Sequence, residues 1–286
     1  AYLLVSRQIS PGLVAQLRDF DQSVEDYRTA RQQQDSLRGL FGLAYISTAL
    51  LVLLCAATPA TAWNDRGHMA VAAVAWDKMT PKAREEASRL LRLNPHYGRW
   101  TAQILPEKRD QAAFIRAATW PDKIRGEYRD DGYEPVGEEA GQNIGYADRL
   151  VHRYWHYQDN GFSPDGTSLQ PLPSINAVSR IILFSATLRD VSQSDDVKSF
   201  DLAWLLHLVG DIHQPLHAAE RYTVHFRRGD NGGNGVKVCD VRSSSCGLGD
   251  GLHSYWDGAL GNSDSVRSAI EKSKRLQQDI ADLDAV

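Results

Sequence analysis

Cysteine is scarce in this chain, with three in 286 residues. Cys55 falls in an apolar run, which leaves Cys239 and Cys246 as a small disulfide loop or as two free thiols. The disulfide is the expectation, and it fits an oxidising compartment. An excess of positive charge is also missing: 32 lysines and arginines face 36 acidic residues, for a net charge of -4. That excludes the basic field with which a protein holds nucleic acid non-specifically. A polyanionic partner would need another source of attraction, and bound divalent cations are often the largest local charges in a site. A phosphate-binding P-loop is absent as well. The glycine-rich stretch at residues 227–235, RRGDNGGNG, does not match G-x-x-x-x-G-K-[ST] before a helix. No internal repeat recurs at solenoid periods, and low complexity is confined to the neighbourhood of Gln32.

What is present begins with a polar extension, residues 1–38, in which five arginines balance five acidic residues. It carries no recognisable chemistry, and its role is unknown. Residues 39–62 carry no charge, follow Arg38 and end in the small-x-small triplet Ala60-Thr61-Ala62. This is the pattern of a secretory signal peptide, which implies a secreted or periplasmic product. The alternative is an uncleaved membrane anchor, since the run approaches the ~20 residues that span a bilayer. Cleavage after Ala62 would start the mature chain, residues 63–286, at Trp63. Its α-amino group, with a pKa of about 7.7–8.0, would then be available to bind a metal.

The densest chemistry lies at residues 204–217, W-L-L-H-L-V-G-D-I-H-Q-P-L-H. His207 and Asp211 are four apart and share one face of a helix, predicted over residues 200–212. Gln214-Pro215 ends that helix, because proline lacks a donor and disfavours helix before it. His217 follows just beyond. Imidazole and carboxylate together suit zinc. His253 and Asp257 in GLHSYWDG repeat the same spacing, with Gly258 as C-terminal cap. His213 should face away from Asp211, and His96, His152 and His225 have no partner motif, so they read as surface or structural residues.

The remaining pattern is mostly helical. The alanine-rich segment after His68 reads as a buried helix. Thr80-Pro81 supplies N-cap and N1 for an amphipathic helix to Leu93. Residues 111–118 form another helix, followed by Thr119-Trp120-Pro121-Asp122. Residues 127–148 and 160–173 read as loops. Residues 174–191 form an amphipathic helix with Ile175, Val178, Ile181, Ile182 and Leu188 on its apolar face, and a polar helix begins at Ala259. Residues 151–159, VHRYWHYQD, read as extended, with Tyr154, His156 and Gln158 on one side and Trp155, Tyr157 and Asp159 on the other.

Taken together, WNDRGH, TWPDKIR, WHYQD, HLVGDIHQPLH, GGN and LHSYWD occur in an order that resembles the secreted, zinc-dependent single-strand nucleases of the S1/P1 family. The resemblance runs from Trp63 to about Gly258. It implies a mainly α, single helical domain with little β structure and three zinc ions at one cleft. Asp122, His156, His207 and Asp211 would hold one ion. The Trp63 amino and carbonyl groups, His68 and Asp211 would hold a second, with Asp211 bridging the pair. His217, His253 and Asp257 would hold the third. Asp122 and Arg125 would act on water and phosphate, and Tyr157 and Asp159 would bind the substrate base. The implied activity is endonucleolytic hydrolysis of single-stranded DNA and RNA to 5′-phosphorylated products, with 3′-nucleotidase activity in addition, by a monomer that stays off the membrane once its signal is cleaved.

Zinc-dependent phospholipase C resembles this family, but has H-x-x-x-E where this chain has His253 and Asp257, and lacks the pair at Tyr157 and Asp159. A reading from another class is a non-catalytic, zinc-binding, membrane-anchored protein, which gains weight if Trp63 stays internal. Family members usually continue with more helix after the last motif, so a C-terminally shortened domain is expected.

Overall fold

The computed structural model describes residues 63–238, 251–261 and 263–284. They lie within one compact unit, Pro59–Val286. The extension at 1–38, the apolar run at 39–62 and both Cys239 and Cys246 lie outside the described residues. Among those described there are nine α-helices and one two-stranded sheet. This is a mainly α single domain, and among the described residues no helix is long and apolar enough to cross a membrane.

The architecture follows from local signals. Asn64 caps α1 (Asp65–Lys78) by accepting from the Arg66 N–H. Thr80 caps α2 (Pro81–Leu91) by accepting from Ala83 N–H, with Pro81 in the first turn as predicted. Then come α3 (Tyr97–Thr101), α4 (Arg109–Ala117) and the single turn α5 (Trp120–Lys123). A reciprocal Asn176–Ser179 capping box starts α6 (Ala177–Arg189). Ser194 caps α7 (Asp195–Asp211), and Asp195 and Asp196 favour its positive N-terminus. The short α8 (Leu252–Asp257) and the long α9 (Val266–Asp284) complete the chain.

Helix α7 is the axis of the domain. It packs against α6, α2, α1 and α5, and residues on several of its faces are buried, as expected of a helix enclosed by others. Small residues let α1 approach closely: Ala70, Ala72 and Ala73 are buried. On its other side α9 sets buried Ala269 and Ser273 against this helix, covering Met69, Ala73 and Ile115. Around α7 the aromatic rings meet edge to face, the geometry that ring quadrupoles favour. Trp120 contacts Tyr128, Tyr146, Phe200 and Trp204 at centroid distances of 5.7–6.4 Å, and Trp155 lies 4.9 Å from Trp204.

Several expectations are corrected. Residues 151–159 are not extended. His152 sits in the left-handed region at φ 49°, and Arg153–Trp155 form a 3-10 turn. Tyr154 and Trp155 are therefore both buried instead of facing opposite sides. The cause is a buried polar anchor. The His152 ring lies 3.6 Å from Trp155 and nearly parallel to it, with Nε2 2.8 Å from the Asp148 carboxylate. The buried line of α6 is Ala177, Arg180, Phe184 and Thr187, while Ile182 is 66% exposed, because Phe184 takes the place facing Trp155.

Helix α7 starts before residue 200 because its cap is Ser194. The segment from 160 opens with β1 (Asn160–Phe162), which pairs in parallel with β2 (Ala219–Arg221), Asn160 opposite Ala219. Gly258 does end α8, but at φ -100°, not in the left-handed region. His213 and His225 are exposed, and His96 is a buried structural residue paired with Glu127.

Phe200 fills the space between Trp120, Tyr146 and Trp204 and is fully buried. Phe200→Ala should lower stability by about 3–5 kcal/mol. Urea unfolding measures it, and a loss below ~1 kcal/mol would contradict this packing.

Candidate metal centre

The last two turns of α7 put His207 and Asp211 on one buried face. Three other segments converge on them. Helix α1 brings His68, whose ring stacks on His207 at 3.9 Å and whose Nε2 lies 3.4 Å from Asp211 Oδ1. The residue after the 3-10 turn brings His156, whose Nδ1 lies 3.0 Å from Asp211 Oδ2 and 2.9 Å from His207 Nε2. Asp122 reaches in from α5, so that one donor atom each from Asp122, His156 and His207 lie within 4.8 Å of one another. The same limit holds for His68, His207 and Asp211.

A second cluster lies beside the first. His217, at the end of the 3-10 turn Pro215–His217, faces His253 across an Nε2–Nε2 distance of 3.1 Å. Asp257, one turn along α8 from His253, places Oδ2 3.5 Å from that ring. These three also lie within 4.8 Å of one another. Buried Gln214 steadies Asp257 by donating to its Oδ1 at 3.0 Å. The histidines and aspartates pointed out as ligands by the sequence thus lie in two adjoining clusters, while Trp63 is in neither.

Both clusters open into one cleft of about 480 Å³. Trp63, Arg125, Tyr157 and Asp159 line it with the metal-ligand candidates, while fully buried His207 stands behind them. Arg125 forms an ion pair with Asp122 at 2.5 Å and keeps 45% of its side chain exposed. Sequence reasoning missed Tyr133, Arg153, Asn231 and Asn234 on this wall. The asparagines sit in RRGDNGGNG, where the sequence showed a tight turn and, over residues 232–234, the GGN motif, to which no site role was given. Tyr133 and Arg153 carried none. It also missed Gly232, whose φ of +54° suits glycine and whose carbonyl oxygen, 2.7 Å away, accepts from His253 Nδ1.

The S1/P1 nuclease family model matches residues 63–284. The chain belongs to the S1/P1 nuclease family. No curated protein matches it. In this member of the family, the hydrogen bonds of the ring nitrogens show whether a cation fits. A carbonyl oxygen can only accept, so the imidazole nitrogen facing it carries the hydrogen. His207 Nδ1–H donates to Ala118 O, His217 Nδ1–H to His156 O and His253 Nδ1–H to Gly232 O, each at 2.7 Å. Each ring therefore turns Nε2 toward its cluster. Two such Nε2 lone pairs 3.1 Å apart, between His217 and His253, repel one another unless a proton or cation lies between them. His156 Nε2 is buried without a hydrogen-bond partner. Main-chain anchoring of one ring nitrogen is how metal-binding histidines are oriented. The donor set fits a divalent cation.

The electrostatics agree. Burial, then the neighbouring His207 charge, push His68 down to about 3, so it offers a neutral ring. Burial likewise lowers His156. Burial would lower His207 too, but Asp211 and Asp122 outweigh it and hold the ring up at about 9. For Asp122, burial acts upward and is outweighed by His207, His156 and Arg125, which hold the carboxyl at about 2. Asp211 stays well below the usual carboxylate range for the same reason, with His207 and His217 as its main partners. Asp211 is kept ionised inside the domain and Asp122 at the cleft, with the His207 charge the largest factor favouring the carboxylate at both.

Gly210 makes the His68 contact feasible. A Cβ there would meet His68 Nδ1 at 2.6 Å. In an ordinary helix interior Gly→Ala gains roughly 0.5–1 kcal/mol. Here overpacking of about 1–3 kcal/mol opposes that gain. Gly210→Ala should therefore be destabilising and should weaken zinc retention, which unfolding and metal analysis would measure. A more stable variant with unchanged metal content would contradict the fit.

Proposed function

We propose that this chain is a zinc-dependent nuclease that hydrolyses phosphodiester bonds in single-stranded DNA and RNA, leaves 5′-phosphates and also removes 3′-phosphates from nucleotides. The observation that carries the reading is the sharing of buried Asp211 among His68, His156, His207 and His217 at the floor of an open cleft. Asp122, His156, His207 and Asp211 would hold one zinc, Trp63, His68 and Asp211 a second, and His217, His253 and Asp257 a third. Zinc there supplies Lewis acidity and positive charge for phosphoryl chemistry. That charge also answers how an acidic chain attracts a polyanion.

The chain's own groups do the rest. Asp122, ionised at neutral pH, accepts a hydrogen bond from the attacking water and so orients it. Arg125 reaches from its pairing with Asp122 to a phosphate oxygen. Tyr157 offers its ring to an unpaired base, and Asp159 reads that base's edge. A base inside a duplex offers no free face, which accounts for selection of single strands. Cleavage after Ala62 would free the Trp63 amine and release a secreted or periplasmic product, a monomer with residues 63–286 as the nuclease domain. The family match and the Tyr157–Asp159 wall favour this reading over phospholipid hydrolysis.

Protein starting at Trp63 and loaded with zinc should cleave single-stranded oligonucleotides to 5′-phosphorylated fragments, lose that activity on chelation, and leave a choline phospholipid intact. Cleavage that survives complete zinc removal, or phospholipid turnover alone, would refute it.

Asp159 adds a pH dependence. Burial, followed by Glu220, raises its carboxyl to about 7. Below that pH the protonated group both donates and accepts, matching adenine's ring nitrogen and amino group. Above it the carboxylate only accepts, matching guanine's two donors. In metal-free protein the guanosine-to-adenosine affinity ratio should rise several-fold from pH 6 to 8, and Asp159→Asn should flatten it. Calorimetric titration of both nucleosides measures this, and a pH-independent wild-type ratio would contradict the role.

A further inference from the structure

The cleft has a second aromatic wall to which the reading above gives no part. Tyr133 lies in the 127–148 stretch, is 65% exposed, and lines the same cleft as Tyr157 and Arg153. An exposed tyrosine on a loop usually has a free backbone beneath it, but this one is fastened. The Tyr157 hydroxyl donates to the Tyr133 carbonyl at 2.6 Å. The Arg153 guanidinium lies 5.2 Å from the Tyr133 ring centroid. Both Asp130 carboxylate oxygens in turn hold Arg153, at 2.6 to 3.0 Å. Asp131 accepts from the His152 backbone N–H at 2.8 Å and from the Tyr154 hydroxyl at 2.6 Å. The turn from Asp130 to Tyr133 is thereby stitched to the segment that carries His156 and Tyr157.

We propose that Tyr133, braced by Arg153, stacks a second unpaired base of the substrate strand, next to the base taken by Tyr157. The inference rests on the nuclease reading. Asp130 fixes Arg153 through its Nε and Nη2 groups, which holds the guanidinium against one face of the ring and leaves the other to the substrate. The hydrogen bond between the two tyrosines fixes the spacing of the two platforms. Stacking of this kind accepts any base, because each has a π-face, and it needs consecutive bases released from a duplex. Tyr133 is then a determinant of single-strand selection and of minimum strand length, apart from hydrolysis itself.

The test uses zinc-loaded protein and single-stranded tetranucleotides in which each position in turn is abasic. In the wild type, base removal should raise KM at two positions, one for each tyrosine. In Tyr133→Ala one of those positions should become insensitive, and KM for the intact strand should rise about tenfold with kcat unchanged, the order expected for one lost base–aromatic stack. Tyr133→Leu should behave like Tyr133→Ala, while Tyr133→Phe and Tyr133→Trp should restore the two-position pattern. An unchanged abasic pattern in Tyr133→Ala overturns the proposal while leaving the nuclease reading intact, and so does an equal rise in KM at every position. Failure of the wild type to cleave any tetranucleotide overturns both.

Discussion

A carboxylate at the negative end of a helix, 1% exposed, is the constraint on which the domain turns. Asp211 is the last residue of α7. The helix dipole disfavours an acid there by roughly 0.3–1 kcal/mol, and burying the charge costs several kcal/mol more. Neither local propensity nor apolar packing offsets such terms. Four imidazoles from three other parts of the chain and from α7 itself surround the two oxygens instead. A sequence that keeps a locally unfavourable residue at the centre of its core does so for a site.

The rest of the fold holds those imidazoles in place. Main-chain carbonyls of Ala118, His156 and Gly232 each accept from one ring nitrogen and so aim the other. Those carbonyls are positioned in their turn by the aromatic cluster around Trp120, Trp155 and Trp204 and by a glycine turn that Asp230 and Glu220 brace through backbone N–H groups. His156 serves both clusters, with its ring in one and its carbonyl oxygen on His217 of the other. The two clusters are mechanically one unit, and a shift of the 152–157 segment would disturb both.

That segment also joins chemistry to recognition. Its start, His152, is locked by Asp148 and Asp131, its middle packs into the core, and its end presents Tyr157 and Asp159 to the cleft. Tyr154, Trp155 and His156 are buried in succession, and half-buried Tyr157 and Asp159 follow at once on the cleft side. An extended strand cannot arrange them so, because it sends neighbouring side chains to opposite faces. The 3-10 turn, entered through a left-handed residue, can.

What the sequence determined by itself is what depends on a few neighbouring residues. The helix start at Thr80-Pro81, the helix end before Pro215, and the i, i+4 pairs His207–Asp211 and His253–Asp257 follow from hydrogen bonding and a 3.6-residue period, which are local. Resemblance of the motifs to a known family added the full set of candidate ligands, which spacing alone did not join. The Ser194 cap is equally local, since its hydroxyl accepts from the Val197 N–H three residues on. Tertiary structure decided the rest: the turn at 152–155, exposed Ile182, the close pass of His68 over Gly210, and Tyr133 at the cleft wall. Each depends on partners far apart in sequence, such as His156 and Asp211, 55 positions apart. No periodicity in the chain encodes such a meeting, because it is set by how whole helices pack and not by the bonds within one.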